Sequence, residues 1–115
     1  MLRLMCKSKI HRARVTHADL HYEGSMGIDK TLLEKSDIYP GEIIQVVNVN
    51  NGSRFETYAV AERAGSGKIA LYGAAARLGK VGDLVIIFAY GLVENRKSGK
   101  VRLKVVRVDP KNNPL

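Results

Sequence analysis

Apolar and polar residues alternate along most of this chain, and that period of two predicts strands. Residues 2–16 carry Leu2, Leu4, Cys6, Ile10 and Val15 with basic residues between them, a strand whose alternation breaks part-way. Residues 43–49 and 54–61 flank Asn50-Asn51-Gly52. Asn-Gly adopts positive φ readily, so the two segments predict a hairpin. Residues 68–72, 83–90 and 101–108 read as further strands. Between Ile28 and Ser36 the spacing of Leu32 and Leu33 predicts a two-turn helix, with Asp29 as its cap and Pro40 beyond its end. Gly73–Leu78 reads as a tight turn into a short helix, and the final PKNNPL as a frayed end. Gly41-Glu42-Ile43-Ile44 resembles Gly82-Asp83-Leu84-Val85, and two such halves predict a small barrel with pseudo-two-fold symmetry.

Composition narrows the class. The chain has 115 residues, 45% of them hydrophobic, which suits one domain with a small core that gains from self-association. It has no apolar run of about 18 residues, so no membrane helix is expected. The N-terminus has charges within its apolar stretch, unlike a secretory signal. With the single cysteine, Cys6, this makes a reducing, cytoplasmic setting the expectation. The net charge of +8 is concentrated in residues 1–14 and 94–111. Such an excess attracts anions, either nucleic acid or an acidic small molecule. A basic barrel that binds nucleic acid is therefore one reading of the chain, although it has few aromatic residues for stacking.

Most of the candidate chemistry is weak. His17 and His21 are spaced as metal ligands on a helix, but the region has strand and loop character, and no metal is expected. The serines lack a GxSxG elbow. Gly65-Ser66-Gly67-Lys68 lacks the spacing of a phosphate loop and reads as a turn. Gly24-Ser25, inside HADLHYEGSMGID, is different. That stretch is too polar for core, and a serine after glycine can attack its own backbone. Transfer of the Gly24 acyl group from nitrogen to the Ser25 oxygen gives an ester. Elimination of that ester, followed by hydrolysis, leaves a pyruvoyl group at residue 25.

The residues around this bond form a recognisable pattern. Lys9-Ile10-His11-Arg12, Val15–Ser25, Asn51–Tyr58, Gly73–Ala76 and Val81–Ile87 follow one another in a spacing that resembles the pyruvoyl-dependent aspartate 1-decarboxylases. The resemblance implies a mainly β fold, a double-psi β-barrel with short helices. It implies one domain that cleaves itself into residues 1–24 and 25–115. It also implies a homotetramer with sites between subunits, with or without a maturation factor. The activity implied is conversion of L-aspartate to β-alanine, the precursor of pantothenate, with no pyridoxal phosphate.

By the same resemblance, the Ser25 pyruvoyl ketone takes the substrate amine as a Schiff base, and Tyr58 is the proton donor. Gly24, Ser25 and Thr57 serve cleavage. Lys9, Arg54, Thr57, Gly73, Ala74 and Ala75 bind substrate, and His11, Tyr22 and Tyr72 support them. Tyr72 departs from the pattern, which usually has Asn before Gly-Ala-Ala. A phenol has a different reach from an amide, so a pyruvoyl decarboxylase for another small amino acid is the neighbouring alternative.

Overall fold

The alternation seen in the sequence becomes an inside and an outside. In the computed structural model, which describes residues 1–115, Ile44, Val46 and Asn48 of β4 (Ile43–Asn48) point inward. They meet Ala89, Ile87 and Val85 of β7 (Leu84–Glu94), their direct antiparallel partners. The remaining strands are β1 (Leu2–Arg14), β2 (His17–Asp19), β3 (Ser25–Asp29), β5 (Arg54–Glu62), β6 (Ile69–Tyr72) and β8 (Lys104–Arg107). The eight strands form one mixed sheet in the order β2-β6-β3-β5-β4-β7-β1-β8.

Val15 and Thr16 draw the distant strands of this sheet together. The Val15 N–H donates to Asp83 O and the Thr16 N–H to Ile69 O, each at 2.8 Å. The result is a small β-barrel, in keeping with the mainly β expectation. Its centre is filled by Ile10, Met26, Ile28, Leu71, Val85 and Ile87, all without solvent exposure. Helix α1 (Lys30–Ser36) adds Leu32 and Leu33 to that core, and the Asp29 carboxylate accepts the Thr31 N–H at 2.8 Å as its cap.

One sequence expectation is explained and two change. The broken period in residues 2–16 is one strand with irregularities between Cys6 and Ser8 and between Ile10 and Ala13; Arg12, at φ 61°, lies in the second. The stretch around Gly24-Ser25 is not uniformly too polar for core: residues 17–24 are exposed, but Ser25–Asp29 are all buried and form β3. The C-terminal tail is not frayed. The Asn112 amide donates to Arg14 O and to Gly67 O, each at 2.8 Å, and its oxygen accepts the Arg14 N–H at 2.8 Å.

Two elements were not expected, strand β2 and a 3-10 helix over Asn95–Lys100; the others differ at their ends. Gly73–Arg77 is a 3-10 helix, and the strand expected over 101–108 is confined to Lys104–Arg107. Gly65–Lys68 is a turn whose amides are already engaged. Gly65 and Gly67 donate their N–H groups to the Asp29 carboxylate at 3.0 and 2.9 Å, leaving that nest no capacity for phosphate. No helix is long and apolar enough to cross a membrane.

Candidate active site

The Gly24–Ser25 peptide lies where an exposed turn becomes a buried strand. Asp19 shapes the turn by accepting the His21 N–H on its carboxylate at 3.0 Å. Ser25 then enters the sheet with 2% exposure, and its hydroxyl donates to Glu23 O at 3.0 Å. On one side β3 runs antiparallel to β6, with Ser25 directly opposite Tyr72. On the other it runs parallel to β5.

Gly73 lies against the same peptide. Its φ is +68°, and a β-carbon there would stand 2.7 Å from Gly24 Cα, 2.9 Å from Gly24 N and 3.1 Å from Tyr22 O. Only a residue without a side chain allows the two backbones to approach this closely.

Beside this contact is a cavity of about 700 Å³. Ser25, Tyr22, Tyr58, Glu62, Lys68 and Tyr72 are among the residues that line it. Strand alternation accounts for Tyr58 and Glu62, which share one face of β5. Tyr72 donates its hydroxyl hydrogen to Glu62 Oε2 at 2.7 Å, and Lys68 Nζ lies 3.3 Å from Glu62 Oε1. Burial, and then the bond to Glu62, push the Tyr72 phenol above its ordinary pKa, so it stays a neutral donor. The Tyr72 hydroxyl, and after it Glu62, push Lys68 up against the opposing effect of burial.

Several of the expected residues lie elsewhere in the single chain. Arg54 shares the strand face of Tyr58 but stands four positions back, about 13 Å along β5. Its Nη1 donates to Gln45 Oε1 at 3.1 Å. Lys9, on β1, rests over the ring of Phe88 on β7, 5.9 Å from the centroid. Thr57 is on the β5 face opposite Tyr58, while Ala74 is exposed and Ala75 buried in the 3-10 helix. None of these lines the Ser25 cavity, and neither does His11. His11 faces a second, smaller cavity with Arg12 and Arg107. Burial first, then the charge of Lys9, holds its imidazole below the usual histidine range, and its Nδ1 is buried without a partner.

Glu62 and Lys68 were not among the expected site residues. Alternation starting from Tyr58 points to Glu62. Nothing local in the sequence announces that it meets Tyr72.

Comparison with known proteins decides the family. The family model described as aspartate decarboxylase matches residues 1–115, the whole chain. The chain belongs to the aspartate decarboxylase family. It is 56% identical to the aspartate 1-decarboxylase of Syntrophobacter fumaroxidans over 100% of this chain and 93% of that protein. It is 51% identical to the aspartate 1-decarboxylase of Thermoanaerobacter pseudethanolicus, over 100% of this chain and 98% of that protein. The aspartate 1-decarboxylase of Herminiimonas arsenicoxydans is 53% identical, with 98% of this chain and 95% of that protein covered.

Proposed function

We propose that this chain decarboxylates L-aspartate to β-alanine and CO2, using a pyruvoyl group made from its own Ser25. The observation that carries the reading is the setting of one peptide bond. Gly24 is exposed and gripped by Gly73, whereas Ser25 is buried at the edge of a cavity that also holds Tyr58. Family membership and the named activity of the relatives supply the substrate.

Making the group needs only water. The Ser25 hydroxyl oxygen bonds to the Gly24 carbonyl carbon as the C–N bond breaks, and its proton passes to the freed nitrogen. A base takes the Ser25 α-proton and the Gly24 carboxylate leaves, so residue 25 becomes dehydroalanine. Water then displaces the nitrogen as ammonia, and residues 25–115 begin with a ketone. The surroundings suit such a group: the adjoining residues are small on the Gly24 side, and the other side opens into the cavity.

The pyruvoyl group supplies an electrophile for the substrate amine and an electron sink for the departing carboxylate. Tyr58 returns a proton to the carbon that has lost CO2. Arg54 and Lys9 hold the remaining carboxylate. In one chain they stand away from the cavity, which favours a site completed between subunits of a homotetramer. An exposed apolar stripe suits such an assembly: Leu4 and Leu92 are paired across β1 and β7 at 66% and 67% exposure, with Leu2 nearby at 56%.

A substrate panel with CO2 as the readout tests this reading. Release from L-aspartate should exceed release from other small amino acids and should vanish in Ser25→Ala. Wild-type turnover by Ser25→Ala would overturn it, and preference for a different amino acid would replace aspartate as substrate. The nucleic-acid reading is disfavoured by family membership; salt-sensitive binding of RNA or DNA that is indifferent to Ser25 would revive it.

A further inference from the structure

Tyr72 is not positioned as a longer version of an amide aimed at Ser25. The strand order around the site is β6-β3-β5, so Tyr72 and Glu62 belong to strands separated by β3. Neighbouring strands lie about 4.8 Å apart, so a contact between outer strands must cross the middle one. The crossing point is Gly27. A β-carbon on Gly27 would stand 2.9 Å from Tyr72 Cε2 and would collide with the Glu62 carboxylate. The Tyr72 ring therefore lies over a bare stretch of β3, with its hydroxyl fastened to Glu62 on the far side. Lys68 holds the other carboxylate oxygen and sits 6.0 Å from the ring centroid.

The pinned ring, itself buried, meets the segment that ends at the scissile bond. The Tyr22 and Tyr72 rings are 4.7 Å apart, centroid to centroid, and inclined at 50°. Tyr22 is 58% exposed, and the ring pair ties its side chain to the sheet. Tyr72 also stands opposite Ser25 in the ladder, and the next residue, Gly73, touches Gly24. One short segment thus grips residue 22 through a ring, residue 24 through a backbone contact and residue 25 through strand pairing.

We propose that Tyr72, pinned across Gly27 by Glu62, is a positioning residue for cleavage of the Gly24–Ser25 bond, acting through the ring of Tyr22. The inference rests on the self-cleavage reading above. Tyr72 exchanges no proton with the reacting atoms. It restricts the Tyr22–Gly24 turn so that the Ser25 oxygen and the Gly24 carbonyl meet more often.

The test is the rate at which purified full-length precursor converts to residues 1–24 and 25–115, followed by intact mass under denaturing conditions. Tyr22→Ala and Tyr72→Leu should each slow conversion about five- to tenfold, the scale of one aromatic pair. Tyr22→Phe should keep the wild-type rate. Tyr72→Phe keeps the ring but loses the pin, and should slow conversion about two- to fivefold. Gly27→Ala, which displaces the bridge while leaving both partners in place, should act in the same direction.

The decisive arm is the double variant. Tyr22→Ala combined with Tyr72→Leu should convert within about twofold of the slower single variant, because both remove one device. Multiplying effects, or wild-type conversion by Tyr72→Leu, would overturn the proposal. So would slow conversion by Tyr22→Phe. Should Tyr72→Leu fail to fold, Tyr22→Ala with Tyr72→Phe provides the same cycle. A wild-type chain that never converts would instead sink the self-cleavage reading itself.

Discussion

Replacing Gly73 by alanine should damage both stability and cleavage, and the structure sets the scale. The new β-carbon would lie 2.7 Å from Gly24 Cα and 2.9 Å from Gly24 N. Carbon atoms in comfortable contact are about 3.5 Å apart, so the two backbones must separate by about 0.8 Å. Neither obstacle is a side chain that could rotate away. Overpacking of this kind costs about 1–3 kcal/mol. The φ of +68° adds about 1–2 kcal/mol for a residue with a β-carbon.

A total near 3 kcal/mol lowers the melting temperature by about 12–20 °C in a domain of this size. Gly52→Ala is the control. Gly52 has φ +76° but nothing within 4 Å of the added carbon, so only the backbone strain remains, about 1 kcal/mol or 5 °C. Melts at one protein concentration, run beside mass-spectrometric cleavage rates, separate the two effects. Gly73→Ala should cleave about 10- to 100-fold more slowly, since misplacement by an ångström can cost that much, whereas Gly52→Ala should cleave normally. Equal melting and equal cleavage in the two variants would refute the packing argument.

Other perturbations reach different parts of the barrel. Asp29→Ala removes the acceptor for the N–H groups of Thr31, Gly65 and Gly67 and should cost about 3 kcal/mol or more, read as a lower denaturation midpoint. Asn112→Ala removes the ties to Arg14 and Gly67 and should cost about 2–3 kcal/mol, with faster hydrogen exchange at Arg14. An alkaline titration probes the bridge over Gly27. Lys68 and Tyr72 both have raised pKa values in the fold. Their stabilisation is complete below their unfolded values, about 10 for each, and is lost as pH rises through the folded ones. Melting temperature should therefore fall more steeply above about pH 10 in wild type than in Tyr72→Phe, and parallel curves would contradict the assignment.

What the sequence disclosed follows from how each element is buried. The β4–β5 hairpin was legible because Asn50-Asn51-Gly52 announces the turn and one face of β4 is buried while the other is not. Strand β3 was hidden for the opposite reason. All five of its residues are buried, so alternation vanishes, and Gly27 and Asp29 look like loop residues. Asp29 was legible as a helix cap, but not as the acceptor that holds the Gly65–Gly67 turn.

The site divides in the same way. Ser25, Tyr58 and Tyr72 could be named from local pattern and family likeness. The link from Glu62 to Tyr72 could not, because it depends on two outer strands meeting over a glycine of the strand between them. Arg54 and Lys9 could be named as carboxylate-binding candidates, but strand order within one chain leaves both outside the Ser25 cavity.

The intact mass of the purified, aged protein under denaturing conditions reads out directly whether Ser25 becomes a pyruvoyl group. Self-cleavage should yield a fragment of residues 1–24 ending in a free carboxylate. It should also yield a fragment of residues 25–115 whose first residue has the mass of a pyruvoyl group. A single chain of 115 residues that still releases CO2 from L-aspartate, with Ser25→Ala equally active, would contradict it.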